Sequence, residues 1–148
     1  MLHDAYAPLK DAGMRFVASY QDAETTRSRM ATGETIVAQS EGALVGIITL
    51  SDAEETSGSP FLDRPDVAQF GQFAVSPAHQ RCGIGSSLLS LVERRAEETG
   101  LAELALHTSE RARDLIAFYE RKGYRFIEHV QWPNVNYRSV VLAKRLPA

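Results

Sequence analysis

The stretch that decides the fold is Phe73–Ser86, which reads FAVSPAHQRCGIGS. This order predicts a short apolar strand, a turn at Pro77, a glycine-rich loop and the first turn of a helix. A helix N-terminus carries backbone N–H groups without intrahelical partners and a partial positive charge, so it favours an anion. Gly83 and Gly85 lack Cβ atoms, so a ligand can approach this backbone closely. The loop therefore predicts a phosphate-binding site.

Two motifs in this chain resemble those of a known family. The loop carries Gln80-x-x-Gly83-x-Gly85, and residues 116–124 downstream read IAFYERKGY. In this order the two motifs resemble the GNAT family of N-acetyltransferases, in which the first pattern binds the pyrophosphate of coenzyme A. The second is similar to the family's helix that ends in Phe-Tyr-x-x-x-Gly-Tyr/Phe. The resemblance covers about residues 35–146 of the chain.

The resemblance implies which residues bind the cofactor. It assigns the pyrophosphate to the loop residues and the pantetheine arm to the main chain of the strand before them. For the loop alone, a simple strand-to-helix turn is an equally good interpretation, and the downstream motif favours the cofactor. We interpret Cys82 as a variable loop position, with a reactive thiol as the alternative. The implied cofactor-binding residues are Phe73, Ala74, Val75, Gln80, Arg81, Cys82, Gly83, Ile84, Gly85 and Ser86.

Tyr119 matches the family's tyrosine that protonates the departing thiolate. An ordinary phenol has a pKa of about 10, so it keeps its proton at neutral pH and can donate it. The alternative is an interior aromatic residue that only packs. The family often has an asparagine seven residues earlier, and this chain has Ala112 there.

A general base is harder to identify. On the strand before the loop the candidate positions are Gln69, Gly71 and Gln72, none of which is basic. His107, at the end of the next strand, is our candidate, because imidazole titrates near neutrality. Of Glu128 and His129, at most one can point into a cleft, because adjacent strand residues alternate faces. Trp132 and Tyr137 either line the acceptor side or pack in a hairpin.

Composition limits the class of protein. The 148 residues are enough for one domain, 1–148, and 44% hydrophobic with 24% charged residues is ordinary for a globular chain. A net charge of −3 argues against a nucleic-acid partner. No apolar run has the length of a membrane span and no segment resembles a signal peptide, so we expect a cytoplasmic protein. A single cysteine excludes an internal disulfide.

The predicted elements indicate a mixed α/β fold. The order is a short or broken helix, a second helix from Asp22 that Gly33 closes, and a hairpin with its turn at Glu41-Gly42. A strand–helix–strand unit, another helix and two strands follow. This order predicts a mixed sheet with helices on both faces and one parallel strand pair. The resemblance implies a V-shaped opening between those two strands. The family's first strand is either absent here or lies upstream of the given start of the sequence. The predicted segments are helices in 2–18, 22–32, 84–99 and a helix that contains 115–122, and strands 35–39, 44–50, 67–75, 101–107, 125–130 and 137–144.

The family implies an acyl-CoA-dependent N-acyltransferase that uses acetyl-CoA and no metal ion. The amine acceptor, a small molecule or a peptide, would attack the thioester directly in a ternary complex. Two alternatives remain, a non-catalytic acyl-CoA-binding module and a Rossmann-type nucleotide-binding domain. The second fits less well, because the loop lacks the first glycine of Gly-x-Gly-x-x-Gly. We also expect a homodimer.

Overall fold

The computed structural model describes residues 1–11, 23–24, 27, 33–51 and 58–147. Of the predicted helix from Asp22, residues 23, 24 and 27 are described and are helical, and its other residues lie outside this part of the chain, as does the segment 52–57. Six strands form one sheet in the order β1-β2-β3-β4-β6-β5. The elements are α1 Leu2–Asp11, β1 Gly33–Ser40, β2 Ala43–Ser51, β3 Val67–Val75, a 3₁₀ turn Pro77–His79, α2 Ile84–Glu98, β4 Glu103–Ser109, α3 Arg113–Arg121, β5 Arg125–Val130 and β6 Ser139–Arg145.

The sheet is mixed, as the sequence predicted. β3 and β4 pair in parallel through the connecting helix α2, and the other neighbouring strands pair antiparallel. β4 begins two residues later than predicted. Gly100 ends α2 with φ of 74°, and the next N–H groups, of Ala102 and Glu103, both bind the Asp66 carbonyl before the ladder starts.

Helix α2 places an apolar face on the sheet. Its buried residues are Leu88, Leu89, Val92 and Ala96, and Tyr119 of α3 belongs to the same core cluster. Leu91 is apolar but lies outside this face, since its side chain is 38% exposed. At 100° per residue the four buried positions fall within one arc, and Leu91 lies about 60° outside it.

The hairpin between β1 and β2 turns where the sequence predicted. Glu41 and Gly42 have φ of 51° and 80°, the left-handed pair that a two-residue hairpin turn requires. The end of the helix that Gly33 was predicted to close lies outside the described residues, and Gly33 itself is the first residue of β1 and pairs with Ser51. Glycine is needed there for space, since a Cβ would collide with the Leu50 carbonyl.

Candidate active site

The strands β3 and β4 separate after three paired residues. Their ladder runs from Val67↔Glu103 to Gln69↔Ala105 and ends there, although both strands continue. The register of β3 on β2 shifts in the next residues, and Gln72 has φ of 48°. This combination is a β-bulge, which bends and twists one strand away from its neighbour. The sheet therefore opens between its two parallel strands.

The bulge also reverses which side chains face α2. Phe70 is buried in the core beneath α2, and Phe73 and Val75 point to the same side, each 3.6 Å from a Cβ built on Gly85. Strict alternation would place Phe70 and Phe73 on opposite faces. Gly71, next to the bulge, is the sequence signal for it, since glycine inside a strand often marks one.

Hydrogen bonding shows which main-chain groups face the opening. Ser76 N–H donates to the Val45 carbonyl, so Ser76 and Val45 are a hydrogen-bonded pair of the antiparallel ladder. Such pairs alternate with non-hydrogen-bonded ones, so Ala74 and Ile47, two residues further along each strand, are a hydrogen-bonded pair as well. The main-chain groups of Ala74 therefore face β2, and those of Phe73 and Val75 face the opening. We accordingly assign the predicted pantetheine contact to Phe73 and Val75 rather than to Ala74.

Both open carbonyls on this edge already accept hydrogen bonds. The Tyr6 hydroxyl donates to the Phe73 carbonyl at 3.0 Å, and the Gln80 amide donates to the Val75 carbonyl at 3.1 Å. The N–H groups of Phe73 and Val75 are the donors that this edge presents to an extended ligand.

The glycine loop presents further N–H groups. Gly83, with φ of 89°, is the N-cap of α2, and no side chain caps the helix. The first intrahelical bond runs from Ser87 N–H to the Gly83 carbonyl, so the N–H groups before it have no acceptor within the helix. A Cβ at Gly83 would have no atom within 4 Å, so this turn faces open space. These donors and this space fit a pyrophosphate.

A cavity of about 840 Å³ occupies the opening. Its volume lies within the usual range for small-molecule sites, about 300 to 1,000 Å³. Five of the seven predicted loop residues line it, and Cys82 and Ile84 do not. Ile84 packs on the core, and the exposed Cys82 thiol donates to the His79 carbonyl at 2.6 Å. The lining loop residues are Gln80, Arg81, Gly83, Gly85 and Ser86.

Tyr119 lines the cavity from α3. Its side chain is only 6% exposed and packs against the rings of Phe70, Phe118 and Tyr124 at 5.9, 5.3 and 5.8 Å. Within the described residues its hydroxyl has no hydrogen-bond partner. Burial, together with the nearby Tyr6, raises the pKa of Tyr119 well above its ordinary value. The group is therefore a proton-bearing donor across the working pH range.

His107 lines the cavity from the opposite side of the sheet. On β4, Leu106 belongs to the core beneath α2, so alternation directs His107 to the other face. The exposed imidazole packs on Trp132, with ring centroids 5.1 Å apart. Trp132 and Tyr137 both line the cavity, and both also pack in apolar clusters, Trp132 against the core of this face and Tyr137 against Ala112.

The other base candidates lie elsewhere. Glu128 accepts hydrogen bonds from the Ser59 hydroxyl at 2.5 Å and the Phe61 N–H at 3.3 Å. These bonds hold the segment before β3 against β5. His129 lies 3.5 Å from the Glu110 carboxylate. Neither residue belongs to the described lining of the cavity.

The sequence analysis missed several cavity residues, among them two with hydroxyl groups, Tyr6 and Thr108. Tyr6 comes from α1, and the sequence indicated only a helix there. Thr108 is 4% exposed, and its hydroxyl has no hydrogen-bond partner among the described residues. Ala112, at the asparagine position of the family, is buried against Tyr137.

Comparison with known proteins identifies the family. The sequence model that describes the acetyltransferase (GNAT) family matches residues 4–124 of this chain. The chain belongs to this family. It is 30% identical over 122 residues to S-(2-succino)cysteine N-acetyltransferase of Bacillus subtilis (strain 168), which covers 81% of this chain and 72% of that protein.

Solved structures show the same fold. IAA acetyltransferase from Bacillus cereus ATCC 14579 superposes with a TM-score of 0.66 at 22% identity, covering 84% of this chain and 85% of that one. A GNAT family acetyltransferase from Elizabethkingia anophelis with acetyl-CoA bound gives 0.66 at 17% identity, covering 84% of each chain.

The predicted family, fold and activity class are confirmed. The chain is an acyl-CoA-dependent N-acyltransferase with coenzyme A thioester as co-substrate. The described residues include no group of three or more metal-ligating side chains that could hold an ion. They also include no helix long and apolar enough to cross a membrane.

Proposed function

We propose that the chain transfers the acetyl group of acetyl-CoA to an amine by direct attack within a ternary complex. The observation that carries this proposal is the opening between β3 and β4, because one cavity there joins the glycine loop, an unpaired strand edge and Tyr119. Acetyl-CoA supplies a thioester whose carbonyl carbon accepts the amine and whose sulfur departs.

The chain binds the donor at two places. The N–H groups of the first turn of α2 hold the pyrophosphate, with the Arg81 guanidinium and the Ser86 hydroxyl beside them. The N–H groups of Phe73 and Val75 pair with the pantetheine amides, as an added strand would.

The amine loses one proton, and the departed thiolate takes one up from solvent, to which the base returns the amine proton. A carbon–nitrogen bond forms and the carbon–sulfur bond breaks, so the leaving thiolate needs a hydrogen-bond donor. Tyr119 supplies that donor, because it lines the cavity with a protonated hydroxyl. His107, on the other side of the opening, takes the proton of the amine.

The acceptor is an amine of a small molecule or peptide. The Bacillus subtilis relative is named for an amino-acid acceptor, S-(2-succino)cysteine. We propose an amino-acid amine of this kind as the first acceptor class to test. Gln69 and Asn134 give the cavity amide groups that can bind such a polar acceptor.

Free thiol release from acetyl-CoA tests the proposal. The acceptor panel contains S-(2-succino)cysteine, an unsubstituted amino acid, an aminoglycoside, a polyamine and a peptide with a free N-terminus. We expect amine-dependent thiol release with at least one acceptor and its loss in Tyr119→Phe. Tight acetyl-CoA binding without release for any amine would instead support the non-catalytic alternative.

Three further predictions stay proposals. We propose a single domain over residues 1–148, a cytoplasmic location and a homodimer. β1 is an edge of the sheet and exposes Val37, 45% accessible, which a second copy would cover. Light scattering at tens of micromolar, compared with Val37→Lys, tests the dimer, and a monomeric wild-type protein would refute it.

A further inference from the structure

Tyr6 brings a further phenol to the cavity, in addition to Tyr119, Tyr137 and the imidazole of His107. It lies on α1, is half-buried and lines the same cavity. Its hydroxyl donates to the Phe73 carbonyl on the open edge of β3 at 3.0 Å. Tyr6 also contributes to the raised pKa of Tyr119, so the two phenols lie close together. The proposed function gives this hydroxyl no role.

The bond to Phe73 determines what Tyr6 can offer a ligand. A phenol has one proton and it is donated to the carbonyl, so its oxygen meets a cavity ligand as an acceptor. The thioester carbonyl is itself an acceptor and is not complementary to it. An amine N–H is complementary, and Tyr6 lines the same cavity as Tyr119, the residue proposed to contact the sulfur.

The neutral oxygen also suits the reactive form of the amine. A carboxylate would stabilise the ammonium ion, which has no lone pair for attack. A phenol oxygen carries no full negative charge, so it favours the ammonium ion far less than a carboxylate would, and the lone pair of the neutral amine stays available.

We propose that Tyr6 binds the attacking amine, its hydroxyl oxygen accepting a hydrogen bond from the amine N–H. This inference rests on the proposed function and adds a substrate-contacting residue to it. The Tyr6–Phe73 bond fixes the oxygen relative to the strand edge that holds the donor. Tyr6 thereby aligns the two substrates.

The test is Tyr6→Phe, which keeps the ring and removes the oxygen. With the fastest amine of the panel at saturating acetyl-CoA, we expect kcat/KM for the amine to fall about two- to twelvefold, the effect of one neutral hydrogen bond. Calorimetry should show acetyl-CoA affinity unchanged within about twofold. The N,N-dimethyl derivative of that amine has no N–H in its neutral form. At a pH above the pKa of this derivative, its inhibition constant should therefore be the same for the wild-type protein and for Tyr6→Phe.

Tyr124→Phe is the matched control. Its hydroxyl donates to Glu93 at 3.1 Å and lies outside the described cavity lining, so the same kinetic constants should stay unchanged. Unaltered amine kinetics in Tyr6→Phe would overturn the inference. So would weaker acetyl-CoA binding with normal amine kinetics, which would assign Tyr6 to the pantetheine instead. Absence of turnover in the wild-type protein would refute the proposed function itself, before any variant is compared.

Discussion

Replacing Gly83 by alanine separates backbone strain from ligand contact. Gly83 has φ of 89°, and a non-glycine residue in this left-handed region costs about 1 to 2 kcal/mol. No atom lies within 4 Å of the new Cβ, so no steric clash adds to the strain. For a domain near this size, 1 kcal/mol lowers Tm by about 2 to 4 °C, so Gly83→Ala should melt about 2 to 8 °C lower.

The effect on coenzyme A should be larger. The Cβ projects into the open space that the pyrophosphate would occupy, beside the first N–H groups of α2. Loss of one hydrogen bond to a charged group weakens binding by about 1.5 to 3 kcal/mol, or about 10- to 150-fold in the dissociation constant. Isothermal titration with coenzyme A measures this change, and differential scanning fluorimetry measures the melting temperature.

Gly100→Ala is the control for strain alone. Gly100 has φ of 74°, also has no atom within 4 Å of a Cβ, and lies outside the described cavity lining. It should melt lower by a similar amount and bind coenzyme A normally. If both variants fold and bind coenzyme A equally well, the pyrophosphate does not lie against Gly83.

Three other predictions follow from the site. Tyr119→Phe should keep acetyl-CoA affinity and slow turnover by roughly 100-fold, and wild-type turnover would make Tyr119 a packing residue. If His107 is the base, the rate falls at acid pH, where the protonated imidazole cannot accept the amine proton, and His107→Ala removes that limb. An inflection that moves with the acceptor's own basicity and survives the substitution would refute that role. Burial raises the pKa of Tyr119 and Tyr124 above 10.0, so both stabilise the fold below about pH 10. The free energy of urea unfolding should therefore fall as the pH rises above 10, and a flat profile to pH 11.5 would contradict the burial effect.

Local sequence patterns predicted the fold well wherever one face of an element is buried. The limits of β3 and β5 agree with the alternation and turn signals to the residue. Local patterns are insufficient where a contact between distant parts of the chain determines which residue a position needs or which face is buried. Gly33 is a glycine because of the neighbouring Leu50 carbonyl, which no local pattern reveals. Leu91 falls outside the buried arc of α2 because the sheet covers only part of the apolar surface of this helix.

The site was less predictable because its contacts join distant parts of the chain. The glycine loop is a local motif and could be found. Tyr6 reaches Phe73 across 67 positions, so spacing gives no sign of it. The register shift that opens the sheet is a property of the β2–β3 pairing, although Gly71 marks its place.

The burial of Tyr119 also constrains the proposed route of the proton. A raised pKa means that a tyrosinate at this position is costly, so complete transfer to sulfur would leave an unfavourable buried anion. Tyr119 is therefore best suited to donate a hydrogen bond to the departing sulfur while the amine proton leaves on the other side of the opening. The two substitutions then report on different steps. Tyr119→Phe should lower the rate at every pH without moving the inflection, whereas His107→Ala should change the shape of the profile. An inflection displaced by Tyr119→Phe would mean that the phenol itself titrates during turnover, against the burial seen here.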